Sequence, residues 1–177
     1  MSADVTCAAS GLSVPLLFAL KLDVDDFQRE WSRCNLLANY AGEYIAYQYT
    51  QRERAENLIS TITNEFLEAV IAVAPSGTWL SLRYQQIAGD LSIEAEHDVS
   101  ANIRTVYLNF LNALKREESR QHYFELLVAE EPAATKFNQL GLMMLMHDFN
   151  VQFITEFSAE GGRLKIQLLT QIEALIT

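Results

Sequence analysis

Apolar residues recur along this chain with two different spacings, and each spacing predicts one kind of secondary structure. From Leu16 to Leu22 they alternate with other residues, which is typical of a β-strand. From Phe27 to about Tyr49, and again from about Arg52 to Ala74, they step by three and four residues. This spacing predicts two amphipathic helices, each with one buried face, and Pro75 is expected to end the second.

The rest of the chain repeats the same two spacings. Two predicted hairpins carry alternating apolar positions, Trp79–Gln85 with Asp90–Glu96 and Val151–Phe157 with Arg163–Thr170. Between the hairpins, helices are predicted from Ser100, over Ser119–Glu130 and over the almost wholly apolar Leu140–Met146. A short helix is expected to close the chain.

Strands and helices therefore occur in runs and do not alternate one by one. That order predicts an α+β two-layer sandwich, with a mostly antiparallel sheet covered on one face by helices. Residues 1–13 are small and polar and are predicted to be a flexible N-terminus, while residues 14–177 form a single domain. A chain of 177 residues is long enough to bury a core without disulfides or metal.

Charge and cysteine content narrow the choice of partners and compartment. The net charge of −10 creates a field that repels phosphate backbones and anionic lipid, so neither nucleic acid nor a membrane is expected as a partner. Cys7 and Cys34 are the only cysteines and lack metal-ligand spacing. The start of the chain carries no Lys or Arg before its first apolar stretch, so we expect a cytoplasmic protein.

Two segments carry a resemblance to a known family. Residues 63–70, Thr-Asn-Glu-Phe-Leu-Glu-Ala-Val, lie on the second predicted helix, and residues 140–149, Leu-Gly-Leu-Met-Met-Leu-Met-His-Asp-Phe, precede the terminal hairpin. In this order the chain resembles the histidine-kinase-like (GHKL) ATP-binding superfamily, over roughly 16–170, and most closely its anti-sigma-factor serine-kinase branch. The resemblance implies that branch's sandwich fold and an ATP site.

The same resemblance implies roles for individual residues. Glu65 takes the place of the family's catalytic glutamate, which polarises water or a hydroxyl. Four residues later the family has an asparagine that coordinates Mg²⁺, and here the residue is Ala69, which has no oxygen to offer a metal. The catalytic machinery implied by the resemblance is thus incomplete.

The other nucleotide-contacting segments also depart from the family pattern. Asp98 stands where an aspartate holds the adenine amino group, but no glycine follows it. Gly141 keeps one of two expected glycines, and Gln139 takes the place of the other. Asn64, Glu68, Asp98 and Gly141 are therefore interpreted as remnants of an ATP site, and no cofactor is expected, although Mg-ATP remains the cofactor of the alternative hypothesis.

Each of these residues also has an ordinary structural interpretation. Glu65 and Glu68, one turn apart beside Asn64, form either a leftover acid–base pair or the solvated side of a helix. Gly141 is explained equally well by phosphate approach and by close helix packing. The three histidines share no ligand spacing, and the methionines at 143, 144 and 146 are interpreted as core.

A further candidate is the group of tyrosines near the end of the first helix, Tyr40, Tyr44, Tyr47 and Tyr49. Tyrosine is favoured at protein interfaces, so this group predicts either a partner patch or the rim of the core.

The leading hypothesis is a bacterial signalling regulator that uses a degenerate kinase-like fold as a protein-binding module in a partner-switching pathway. The resemblance implies partners such as a STAS-domain antagonist, a response regulator or a phosphatase, and a homodimer through the first helix. Two alternatives stay open. One is an active ATP-dependent serine/threonine kinase in which Glu68 or Asn64 replaces the missing metal ligand, and the other is a non-catalytic assembly subunit that uses the insert from Ser100 to Glu130.

Overall fold

The structure, a computed structural model, describes residues 15–114, 119–128, 137–157 and 163–176. Within these residues it contains five strands and seven helices. The strands are β1 (Leu16–Asp23), β2 (Trp79–Ile87), β3 (Asp90–His97), β4 (Gln152–Phe157) and β5 (Leu164–Thr170). The helices are α1 (Val24–Arg29), α2 (Ser32–Ala46), α3 (Arg52–Val73), α4 (Arg104–Leu114), α5 (Ser119–Leu127), α6 (Gln139–His147) and α7 (Ile172–Ile176).

The strands form one open sheet in the order β1-β2-β3-β5-β4, and every neighbouring pair is antiparallel. The turn between β2 and β3 contains Ala88 and Gly89, both with positive φ, as a tight two-residue hairpin turn requires. Both predicted hairpins are confirmed as strand pairs. The fold class is therefore α+β with an antiparallel sheet, as predicted.

The two faces of the sheet differ in chemistry because side chains alternate along each strand. The face toward the helices is apolar and includes the fully buried Leu82 and Ile93. On the opposite face Glu94 lies between two cations, with Oε2 2.8 Å from Lys165 Nζ and Oε1 3.7 Å from Arg83 Nη1. The hydrogen bond from Lys165 to Glu94 raises the pKa of Lys165. Helices thus cover one face, and a polar network covers the other.

The prediction of one helix from Phe27 to about Tyr49 is wrong in one respect, because this region contains two helices. Asp23 caps α1, its side chain accepting a hydrogen bond from the Asp25 N–H at 2.9 Å. The backbone leaves helical geometry at Glu30, with φ −140° and ψ 88°, and α2 starts at Ser32. This break changes the direction of the buried stripe, so Trp31 is exposed although the helical spacing placed it with the buried residues.

The central element of the helical layer is α3, which packs against the sheet and against α2, α6 and α7. Its inward side chains are fully buried and include Ile59, Ile62 and Phe66. Burying each such side chain stabilises the fold by about 1.5–3 kcal/mol. Gly42 allows the close approach of α2, because a Cβ there would lie 2.7 Å from the Glu56 carbonyl oxygen.

The shorter helices complete this layer. Met143 is buried and Met144 and Met146 pack against the core, in agreement with their interpretation as core residues. The predicted flexible N-terminus and the end of the predicted Ser119–Glu130 helix lie outside the described residues. No helix in the described part of the chain is both long and apolar enough to cross a lipid bilayer.

Candidate functional site

The structure brings two of the predicted site residues, Glu65 and Gly141, together at the start of α6. Asn138 caps that helix, its Oδ1 accepting a hydrogen bond from the Gly141 N–H at 2.8 Å. The same side chain donates from Nδ2 to Glu65 Oε2 at 2.5 Å. A single asparagine thus ties the carboxylate of α3 to the first turn of α6.

Glycine is required at position 141 for this arrangement. A Cβ at Gly141 would collide with Glu65 Oε2 and with the Asn138 amide. The N-terminus of a helix carries a partial positive charge and unpaired N–H groups, which is why it favours anions. Here Asn138 already accepts the Gly141 N–H, and the Glu65 carboxylate lies beside this first turn of α6.

The other two residues of the α3 segment form a separate pair. Asn64 donates from Nδ2 to Glu68 Oε1 at 3.1 Å, and its buried Oδ1 has no hydrogen-bond partner among the described residues. Glu65 and Glu68 therefore have different partners, which argues against a cooperating acid–base pair. The position where the family pattern requires a metal-binding asparagine, Ala69, is fully buried in the core.

Asp98 lies at the end of β3 and contacts Arg163, at the start of β5, with 3.6 Å between Oδ2 and Nε. Arg163 also donates to the backbone oxygens of Glu96 and Trp79, at 2.8 and 2.5 Å. This guanidinium ties the ends of three chain segments together. Asp98 is thus part of a structural ion pair and is separate from the Glu65–Gly141 contact.

A group of aromatic side chains fills the space beneath α4. Tyr107 is fully buried, and its ring lies edge-on to Phe137 at 5.0 Å and to His97 at 6.2 Å between centroids. His97 Nδ1 hydrogen-bonds the Asp98 carbonyl oxygen at 2.9 Å, whereas within the described part of the chain His97 Nε2 and the Tyr107 hydroxyl have no hydrogen-bond partner. Burial lowers the pKa of His97 to about 4 and raises the pKa of Tyr107.

Polar side chains of α5, between α4 and α6, form a cluster that joins α5 to α6. Tyr123 donates a hydrogen bond to Asp148 Oδ2 at 2.5 Å and stacks on His147 at 5.3 Å. Ser119 Oγ lies 3.3 Å from His147 Nε2. Desolvation, followed by the bond to Asp148, raises the pKa of Tyr123 to about 12.

The four tyrosines predicted as a partner patch, in and just after α2, differ in exposure. Tyr49 is buried, but Leu36, Tyr40, Tyr44 and Tyr47 are 66, 57, 49 and 67% exposed. Their spacing of four, four and three residues places them on one side of α2, and we call these four residues the aromatic stripe. The Phe18 ring of β1 packs edge-on against Tyr44 at 5.6 Å and so connects the stripe to the sheet.

Metal and thiol chemistry find little support in the described part of the chain. Among those residues, no three His, Cys, Asp or Glu side chains are grouped as metal ligands. Cys34 is buried, and burial followed by the charge of Glu68 raises its thiol pKa to about 12, which makes it unreactive.

Sequence reasoning missed Asn138, Tyr107 and Tyr123. Asn138 was detectable, because an asparagine just before an apolar run is a common helix N-cap. Tyr107 and Tyr123 gave no comparable signal, because their partners lie on other elements of the fold.

The chain was compared with models of known protein families, and none matches. A search of curated proteins also finds no relative.

Proposed function

We propose that this protein is a regulator that works by binding other proteins, and that its kinase-like fold serves as a scaffold for the aromatic stripe. The sequence resemblance suggests a bacterial partner-switching pathway in the cytoplasm, with a STAS-domain antagonist, a response regulator or a phosphatase as partner. The observation that carries the proposal is the exposure of four large side chains in one stripe of α2.

The stripe has the composition and shape of an interface core. Three tyrosines supply rigid, amphipathic contact area, and tyrosine is among the residues that contribute most to binding energy. Tyr40, Tyr44 and Tyr47, together with Glu43, line a shallow groove of about 230 Å³. Arg52 stacks on Tyr47 at 3.5 Å and lies 3.9 Å from Glu43, so charged residues border the apolar surface. An apolar centre with a charged border is typical of protein interfaces.

Among the described strands β1 pairs with β2 alone, and its Phe18 contacts the stripe, so the outer edge of β1 lies on the same side of the molecule. An exposed strand edge offers unpaired backbone groups to another chain. A second copy of this protein is therefore one candidate occupant, in line with the homodimer suggested by the resemblance. A regulatory partner that adds an apolar helix and a strand is the other.

The active-kinase alternative is favoured by one observation, the meeting of Glu65 with Gly141 at the start of α6. Against it are the buried Ala69, the pairing of Asp98 with Arg163 and the carboxylate that lies over the α6 N-terminus. Magnesium triphosphate would have to displace Glu65 without gaining a ligand at position 69.

Thermal unfolding with and without millimolar Mg-ATP tests this choice. A ligand that binds the folded protein stabilises it by about 2.7 kcal/mol at 100 times its dissociation constant, which would raise the midpoint. We expect no change in the midpoint, because the proposal includes no Mg-ATP site. A rise that disappears in Glu65→Ala would favour the kinase. Glu30→Ala, at an exposed position between α1 and α2 and far in sequence from both motif segments, serves as the matched control.

The binding proposal itself is tested with purified STAS-domain, response-regulator and phosphatase proteins encoded near the gene. Calorimetric titration with wild type and with the Tyr40→Ala, Tyr44→Ala double variant should show binding that the substitutions abolish. Gln48→Ala, an exposed polar position just after α2, should bind like wild type. Equal binding by wild type and the double variant would reject the stripe as the interface.

A further inference from the structure

A groove on the opposite side of α3 from α2 has the lining of a small-molecule site. It measures about 410 Å³, within the roughly 300–1,000 Å³ typical of ligand pockets. Residues from three elements line it, namely Arg54, Asn57, Leu58 and Thr61 of α3, Asp148 and Phe149 after α6, and Leu175 of α7.

This groove is separate from the Glu65–Gly141 contact. Asp148 directly follows the last residue of α6, whereas Gly141 lies in its first turn. The two places are thus at opposite ends of one helix of nine residues.

Two opposite charges line the groove. Asp148 supplies a carboxylate, and its Oδ2 accepts a hydrogen bond from Tyr123. A carboxylate has about four lone-pair sites, so this bond leaves capacity for an ammonium group. Arg54 supplies a guanidinium that already takes part in an interaction within the protein. Five N–H donors allow that guanidinium a further acceptor, and its fork matches the geometry of a carboxylate.

Neutral polar groups and an apolar wall complete the lining. Thr61 donates its hydroxyl hydrogen to the Asn57 carbonyl at 2.8 Å, which leaves its oxygen as an acceptor. Leu58, Phe149 and Leu175 supply the apolar part. A ligand that satisfies all of these groups carries one ammonium, one carboxylate and an apolar side chain.

We propose that this groove binds a free α-amino acid with an apolar side chain, its ammonium on Asp148 and its carboxylate on Arg54. Because Asp148 also holds Tyr123, an ammonium on this carboxylate competes with the hydrogen bond that joins α5 to α6. Binding is therefore expected to loosen α5. The proposal does not depend on the function assigned to the aromatic stripe.

Calorimetric titration of the full-length protein with L-phenylalanine and L-leucine tests the site. We expect binding by at least one of them at millimolar concentration. Phenethylamine, which lacks the carboxylate, and N-acetyl-L-phenylalanine, which lacks the ammonium, should bind at least about tenfold more weakly, a difference of about 1.4 kcal/mol. No binding by either amino acid, or equal binding by an analogue with one charge, would overturn the proposal.

Three variants assign the contacts. Asp148→Asn and Arg54→Gln should each weaken amino-acid binding at least about tenfold, while Asp26→Asn on α1 should leave it unchanged. Tyr123→Phe keeps the carboxylate but removes its competitor, so it should bind the amino acid as tightly as wild type or more tightly. Unchanged binding in Asp148→Asn would reject the assignment. Circular dichroism of each variant shows whether it has folded.

Discussion

The space beneath α4 and the surface of α2 use the same residue type in opposite ways. Tyr107 is fully buried against Phe137 and His97, and no described residue hydrogen-bonds its hydroxyl. Tyr40 and Tyr44 are about half exposed and stack on each other at a centroid distance of 6.2 Å. A buried hydroxyl without a hydrogen bond costs free energy, whereas an exposed one is hydrated. The chain thus fills its interior cleft with aromatic rings and leaves others exposed on its surface.

The largest expected effect is the loss of unfolding free energy when the packing beneath α4 is disrupted. Tyr107→Ala should lower the free energy of unfolding by about 3–5 kcal/mol, because it leaves a cavity among buried rings. Tyr107→Phe should be close to neutral, since it removes only a hydroxyl that makes no hydrogen bond to any described residue. Urea unfolding measures both. Tyr47→Ala, at the C-cap of α2, is the matched control, and a loss there as large as in Tyr107→Ala would contradict the comparison.

Acid should lower the free energy of unfolding through His97, which also lies beneath α4. The pKa of His97 falls from 6.5 to about 4 because burial disfavours its charged form. The unfolded chain therefore binds a proton first, and stability declines as the pH drops from about 6.5 to about 4. The loss should reach about 3 kcal/mol, at 1.36 kcal/mol per pKa unit.

Urea unfolding at several pH values measures this loss, and His97→Phe should flatten the profile in that window. His122→Phe, an exposed position on α5, should keep it. If wild type and His97→Phe showed parallel profiles, His97 would not be buried in its neutral form.

Substitutions on the α2 surface should lower partner affinity and leave the free energy of unfolding almost unchanged. The Tyr40→Ala, Tyr44→Ala double variant is expected to lose at least about 2 kcal/mol of partner affinity, as interface hot spots do. Its unfolding free energy should change by less than about 1 kcal/mol, since both side chains are already half solvated. Light scattering of wild type and the double variant shows whether a second copy occupies the stripe. A large stability loss would instead make these tyrosines part of the core.

The smallest effect concerns the cap of α6. Asn138→Ala should cost about 1 kcal/mol, because it removes the acceptor for the Gly141 N–H and the donor to Glu65. Asn138→Ser should recover part of this, since serine also caps helices. Urea unfolding is the measurement, and Asn109→Ala on the exposed side of α4 is the control. No loss in Asn138→Ala would mean that Glu65 is held at α6 by other contacts.

Much of the fold was predictable because periodicity reports burial. Both hairpins, the long helix α3 and the buried helix α6 were predicted with bounds within a few residues. The break at Glu30 was missed, because the spacing of three and four continues across it while the backbone does not. For the candidate site, sequence selected Glu65 and Gly141 but gave no sign that Asn138 joins them.

By itself, then, the sequence determined the order of the strands and main helices, most of their buried faces and the absence of a metal-binding side chain at Ala69. These properties depend on neighbouring positions and on residue chemistry. Only the tertiary structure decided that Glu65 lies over the N-terminus of α6, that Tyr107 fills the space beneath α4 and that Asp148 lines a groove with Arg54. Each of these contacts joins residues far apart in the chain. The spacing of apolar residues along the chain does not predict such contacts, because they depend on how the helices and strands pack against one another.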